Sequence, residues 1–239
     1  MKDGLEFERV SRSFGGLQAL ESFDLSCPPG SLTCIIGPNG AGKSTALGIA
    51  SGLLRPSGGR VTLNDVSIAD RAGKAAIGFL PQRSSFPASL RPREVLDFAR
   101  RACAAPQGLG DAAMRLGGLD AVLDKPVREL SGGWLRRLGL ACALLTQGPV
   151  LLLDEPFVGL DPETLDRLTE HLRQLSREGG IVVASSHDFE EIDSLNPQLV
   201  VLDEGRSLAV SPPGGEKART LYRRMLVHPI DGDADGGEG

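Results

Sequence analysis

Residues 37–45 read GPNGAGKST, and the run before them (Leu32, Cys34, Ile35 and Ile36) is apolar enough to form a buried strand. Behind the run, Thr45 to Ala50 opens a helical pattern. A strand that delivers a glycine-rich loop into a helix start is the arrangement that cradles phosphates, and this loop fits G-x-x-x-x-G-K-S/T. Gly37, Gly40 and Gly42 let successive backbone N–H groups of the loop, from Asn39 through Ala41 to Thr45 (Pro38 has none to give), close around an anion without Cβ clashes. The following helix adds its positive N-terminal end. Lys43 can reach outer phosphates, and Ser44 can offer a hydroxyl to Mg²⁺. The stretch predicts nucleotide binding.

The first 36 residues alternate apolar and polar in short stretches (Leu5, Phe7, Val10; Leu20, Phe23, Leu25), as strands do, with a turn at Pro28-Pro29-Gly30. Arg60 to Asn64 and Ile77 to Leu80 read as further strands, the second ending at Pro81-Gln82. From Arg91 to Leu145 the signal is helical: Val95, Leu96, Phe98 and Ala99 share a face, and Leu135, Leu138, Ala141, Cys142 and Leu145 form a stripe. After Pro149, a strand at Val150 to Leu153, a helix at Pro162 to Arg177 and a strand at Ile181 to Ala184 alternate. A short helix near Asp188 and a strand at Leu199 to Leu202 follow. Such alternation predicts a mostly parallel sheet with crossover connections, interrupted by an inserted helical block. Ser211 begins a Pro-Pro-Gly-Gly linker, and Ala218, Leu221, Tyr222, Met225 and Leu226 form a helical stripe expected to pack back on the same domain. The acidic, glycine-rich stretch 229–239 is expected to be disordered.

At 239 residues and 41% hydrophobic content, the chain can form one large domain. A net charge of −5 argues against a general nucleic-acid binder. The 4 cysteines, Cys27, Cys34, Cys103 and Cys142, have no C-x-x-C spacing, so a disulfide or zinc framework is not expected. No stretch reaches the ~20 apolar residues that span a bilayer. The expectation is a cytoplasmic protein whose membrane role comes through a partner.

Three further stretches carry chemistry. LSGGW at 130–134 precedes an apolar helix, with Ser131 suited to the N-cap and Gly132-Gly133 exposing N–H groups, a second anion nest. VLLLDEP at 150–156 is an apolar strand with carboxylates at its C-terminal end, where open α/β sheets bind ligands. Asp154 is placed to hold Mg²⁺, and Glu155 to polarise an attacking water. His187 also ends an apolar strand at that sheet edge and is expected in the catalytic site. Gln82 ends another strand and offers an amide oxygen.

These elements, in this order, resemble the ATP-binding cassette (ABC) ATPases over about residues 4 to 210. GPNGAGKST looks like Walker A, Gln82 like the Q-loop glutamine, LSGGW like the signature motif and VLLLDEP like Walker B with the catalytic glutamate. Gly159-Leu160-Asp161 looks like the D-loop, which would bring Asp161 to the nucleotide, and His187 like the switch histidine. Phe14 occupies the place of the adenine-stacking aromatic, more often tyrosine. Trp134 stands where the family usually has glutamine. The resemblance implies an α/β P-loop NTPase core within 1–210, with an N-terminal antiparallel β subdomain and a helical subdomain at about 86–146, then a linker and helix at 211–228. It implies an ATPase whose catalytic residues are Lys43, Glu155 and His187, with Mg²⁺ held by Ser44, Gln82 and Asp154. Its cofactors would be ATP and Mg²⁺. It would close head to tail on a second ATPase subunit, with Ser131 and Gly133 meeting the other subunit's nucleotide, and drive a separate membrane permease, with a lean to export. The permease would dock on Arg83 to Arg93 and the following helix, and would hold the protein at the inner face of the cell membrane. The alternative is a soluble single-cassette ATPase in cofactor assembly or repair.

Overall fold

The computed structural model describes residues 3–227. The 229–239 stretch lies outside them. The chain forms two sheets. The first, in order β2-β1-β4-β5, is antiparallel and built from β1 (Leu5–Phe14), β2 (Leu17–Cys27), β4 (Gly58–Leu63) and β5 (Val66–Ser67). The second, in order β10-β9-β3-β8-β7-β6, uses β3 (Leu32–Ile36), β6 (Ile77–Leu80), β7 (Val150–Asp154), β8 (Ile181–Ser185), β9 (Gln198–Asp203) and β10 (Arg206–Ser211). Its strands run parallel except β10, which returns antiparallel along β9. This is an α/β fold.

Every residue of β3, β7 and β8 is buried, because both faces of the parallel sheet are covered. Alternate side chains divide between two cores. Ile35, Leu152, Val183 and Val200 pack with α1 (Lys43–Ala50) and the antiparallel sheet. Cys34, Ile36, Leu151, Leu153, Val182 and Ala184 pack with the helices on the other side.

Between the neighbouring strands β6 and β7 the chain leaves the sheet through α3 (Pro92–Ala102), α4 (Gln107–Leu116) and α5 (Gly132–Ala143). Leu138, fully buried, anchors α5. The face expected on α3 holds for Val95 and Leu96, but Phe98 is 74% exposed. At about 100° per residue it sits well off the arc shared by Val95, Leu96 and Ala99. Beyond β7, α6 (Pro162–Arg177) buries Leu168 and Leu172, and α7 (Phe189–Leu195) buries Ile192. The C-terminal α8 (Ala218–Tyr222), continued by a π-helical turn at Arg223–Val227, buries Ala218 and Leu221 in the same core.

Three elements escape the sequence reading. α2 (Arg71–Ala75) and β5 are too short to show a period. β10 hides because its alternation points the wrong way: Leu208 and Val210 face outward, 39% and 52% exposed. The turn into it, Glu204-Gly205, has both residues at positive φ (44° and 79°), as a type I′ hairpin turn requires.

Candidate functional site

The loop between β3 and α1 is shaped by close approach. A Cβ on Gly37 would lie 2.0 Å from the Leu202 carbonyl oxygen, and one on Gly42, at φ 108°, 2.4 Å from that of Ala19. At Gly40, with φ 85°, a Cβ would meet only open space. That space is a cavity of about 290 Å³ lined by Ala19, the loop residues Asn39 to Thr45, Gln82 and Glu155. Lys43 is only 7% exposed, and its Nζ donates to the Gly37 and Pro38 carbonyls at 2.8 and 2.9 Å. Burial pushes its pKa below the usual lysine value, while the charges of Glu155 and Asp154 pull it back up.

Glu155 enters from the end of β7. Register sets Asp154 beside Ser185 of β8, whose hydroxyl donates to Asp154 Oδ1 at 2.5 Å. The Ser185 hydroxyl oxygen in turn accepts the Glu155 N–H at 3.0 Å, alongside the Ser185 carbonyl at 3.1 Å. Glu155 is held at φ 55°, the left-handed region that L side chains avoid. Its Oε2 lies 2.8 Å from His187 Nδ1. His187 follows β8 on a turn where Ser186 Oγ accepts the Asp188 N–H at 3.0 Å. A second hollow of about 380 Å³ opens between Gly37, Pro38, Asn39, His187, Phe189 and Tyr222. The Phe189 and Tyr222 rings sit 5.2 Å apart, so α8 reaches the edge of the site.

The residues suit a polyphosphate with a hard cation. One ammonium and the loop N–H groups answer the anion, while the Ser44 hydroxyl, the Asp154 carboxylate and the Gln82 amide are oxygen donors. No cluster of three His, Cys, Asp or Glu side chains occurs among the described residues.

The structure does not gather every sequence-predicted residue here. Phe14 is 41% exposed at the end of β1, with the Arg12 guanidinium 4.4 Å over its ring. Ser131 sits at the N-cap of α5 but makes no capping bond, and it is exposed. Gly132 and Gly133 follow it, and a Cβ on Gly133 would come 3.7 Å from the Gly159 carbonyl oxygen. Asp161 joins this second group through an ion pair with Arg137 at 2.5 Å, and its side chain caps α6. Trp134 is half-buried against the core, with Arg137 4.8 Å over its ring. Ser185, Arg136 and Arg137 carry much of this geometry without having been singled out. Only the strand register and the helix phase bring them into place.

The model for the ABC transporter family matches residues 20–158, and a model described as an AAA domain matches residues 124–193. The chain is 34% identical over 215 residues to the Nod factor export ATP-binding protein I of Paraburkholderia xenovorans, covering 87% of this chain and 71% of that one. It is 37% identical over 205 residues to the zinc import ATP-binding protein ZnuC of Pseudomonas putida, covering 85% and 76%. A solved ATP-binding subunit of an ABC transporter superposes with a TM-score of 0.79 at 25% identity, covering 94% of this chain and 93% of that one. The chain belongs to the ABC transporter family, as an ATP-binding subunit and an ATPase. Among the described residues, no helix is long and apolar enough to cross a membrane.

Proposed function

We propose that this chain hydrolyses MgATP at the cavity beside Lys43, and that it closes head to tail on a second cassette to drive a separate membrane permease from the cytoplasmic face. The observation that carries the catalytic assignment is the 2.8 Å contact between Glu155 and His187 at a cavity lined by the glycine loop. Bound MgATP supplies the electrophilic γ-phosphorus and the cation that screens its oxygens. Lys43 offsets charge on the outer phosphates. Ser44, Asp154 and Gln82 hold the cation. Glu155 orients the attacking water and accepts its proton, and His187 steadies that carboxylate.

The relatives include subunits named for export and for import, so the reading stops at a permease-driving ATPase, with export the direction to test first.

The deciding variant is Glu155→Gln, which keeps the side chain's size without a base. It is expected to bind MgATP as the parent does and to lose turnover by on the order of 100-fold or more. Near-normal steady-state hydrolysis in that variant would remove Glu155 from the role.

A further inference from the structure

The adjacent arginines Arg136 and Arg137 lie about 100° apart around α5 and go to different destinations. Arg137 reaches Asp161. Arg136 turns toward the site: its Nη1 donates to the Gln82 carbonyl at 2.7 Å, and its Nη2 donates to the Asp154 and Glu155 carbonyls. Segments far apart in sequence therefore meet on one guanidinium. Its planar fork can address several carbonyls in fixed directions, which a lysine ammonium cannot. Burial works against the charge, while the nearby Asp154 and Glu155 carboxylates favour it. Glu155 has particular need of an anchor. Its left-handed backbone persists only if its surroundings hold it, and Ser185 on the N–H side and Arg136 on the carbonyl side do so.

We propose that Arg136 is a positioning residue for hydrolysis: it ties the backbone at Gln82 to the backbone at Asp154 and Glu155, so that the cation-facing amide and the catalytic carboxylate share one geometry. This rests on the reading of Glu155 as the base. Arg136 makes its hydrogen bonds to backbone carbonyls and acts through the segments it joins. Without it, Glu155 is free to leave its strained conformation and Gln82 moves independently, while the loop that binds nucleotide is untouched.

The test uses the full chain with Arg136→Lys and Arg136→Gln. Both are expected to lower kcat by on the order of 100-fold, the effect of misplacing a catalytic group by about an ångström, with little change in KM for MgATP. In nucleotide-free protein, amide hydrogen exchange should accelerate in peptides around Gln82 and around Glu155 to Val158, and stay unchanged in β3. Unchanged kcat and exchange in both variants would overturn the proposal. So would a loss accompanied by faster exchange across β3 and β8, which reports general unfolding. The exchange measurement needs no nucleotide, so it judges the brace separately from the base assignment. If Glu155→Gln keeps its turnover, that reading fails, and accelerated exchange in the Arg136 variants still supports the tie between the segments.

Discussion

Asp161 closes the start of α6 with both of its oxygens. Oδ1 accepts the Thr164 N–H at 2.9 Å, and Oδ2 accepts the Thr164 hydroxyl at 2.9 Å and Arg137 at 2.5 Å. The Thr164 N–H bond, the Thr164 hydroxyl and then Arg137 hold its carboxyl well below the usual carboxylate range. A folded-state pKa below the unfolded one stabilises the fold fully above the ordinary carboxylate value, about 4, and the benefit fades as pH falls below it. Asn also caps helices well, so Asp161→Asn removes mainly the charge. The variant should melt below the parent at pH 7, by a gap that narrows at pH 3. A gap independent of pH would assign the effect to the cap alone. The sequence made Asp161 a nucleotide-side residue by resemblance. Its capping role was not assigned there, although Asp before Pro at a first helical turn is a sequence signal for it, and its bond to Arg137 depends on the phase of a helix some 24 residues upstream.

At the scale of elements, what could be read from the sequence was whatever burial writes into it. β3, β7 and β8 are apolar on both faces, so their runs are continuous and unmistakable. α6 announces itself with proline at its first turn and a polar and an apolar face. β10 did not, because its apolar side chains face outward. Ser185 did not either, since its value comes from lying opposite Asp154, a register that no single strand reveals. The stretch proposed for docking a permease also changes character. Phe86 and Leu90 pack against the core, so Phe86→Asp would damage the fold as well as any docking surface. A large apolar side chain that is exposed is Phe98 on α3, the helix that follows this stretch. Phe98→Asp should leave the melting temperature within a degree or two, as a surface change away from packing does, and should reduce co-purification with a membrane-embedded partner. Undiminished recovery of that partner would move the docking surface elsewhere.

Across the whole molecule, the predicted site residues fall into two groups that one chain does not unite. Lys43, Ser44, Gln82 and Glu155 surround one cavity, whereas Ser131, Gly133 and Asp161 cluster around the start of α5. Ser131 is exposed and makes no cap bond, which leaves its hydroxyl and the N–H groups at this helix end available to a ligand held by another copy. If each site needs both groups, hydrolysis should rise more steeply than linearly with protein concentration. Glu155→Gln with ATP should then elute as a dimer, and adding Ser131→Arg should return it to monomer. The chain carries its own reporter. Trp134 is the sole tryptophan and Tyr222 the sole tyrosine, so emission follows the start of α5. The indole is half-buried in its own subdomain beneath Arg137, so a partner can cover only its remaining face. MgATP added to Glu155→Gln should therefore change the emission in wavelength or intensity, and the change should vanish when Ser131→Arg is added. Identical spectra with and without ATP, in samples that elute as dimer, would show that the partner does not touch Trp134 and that its role is packing. A monomer at every ATP and protein concentration would count against the head-to-tail arrangement itself.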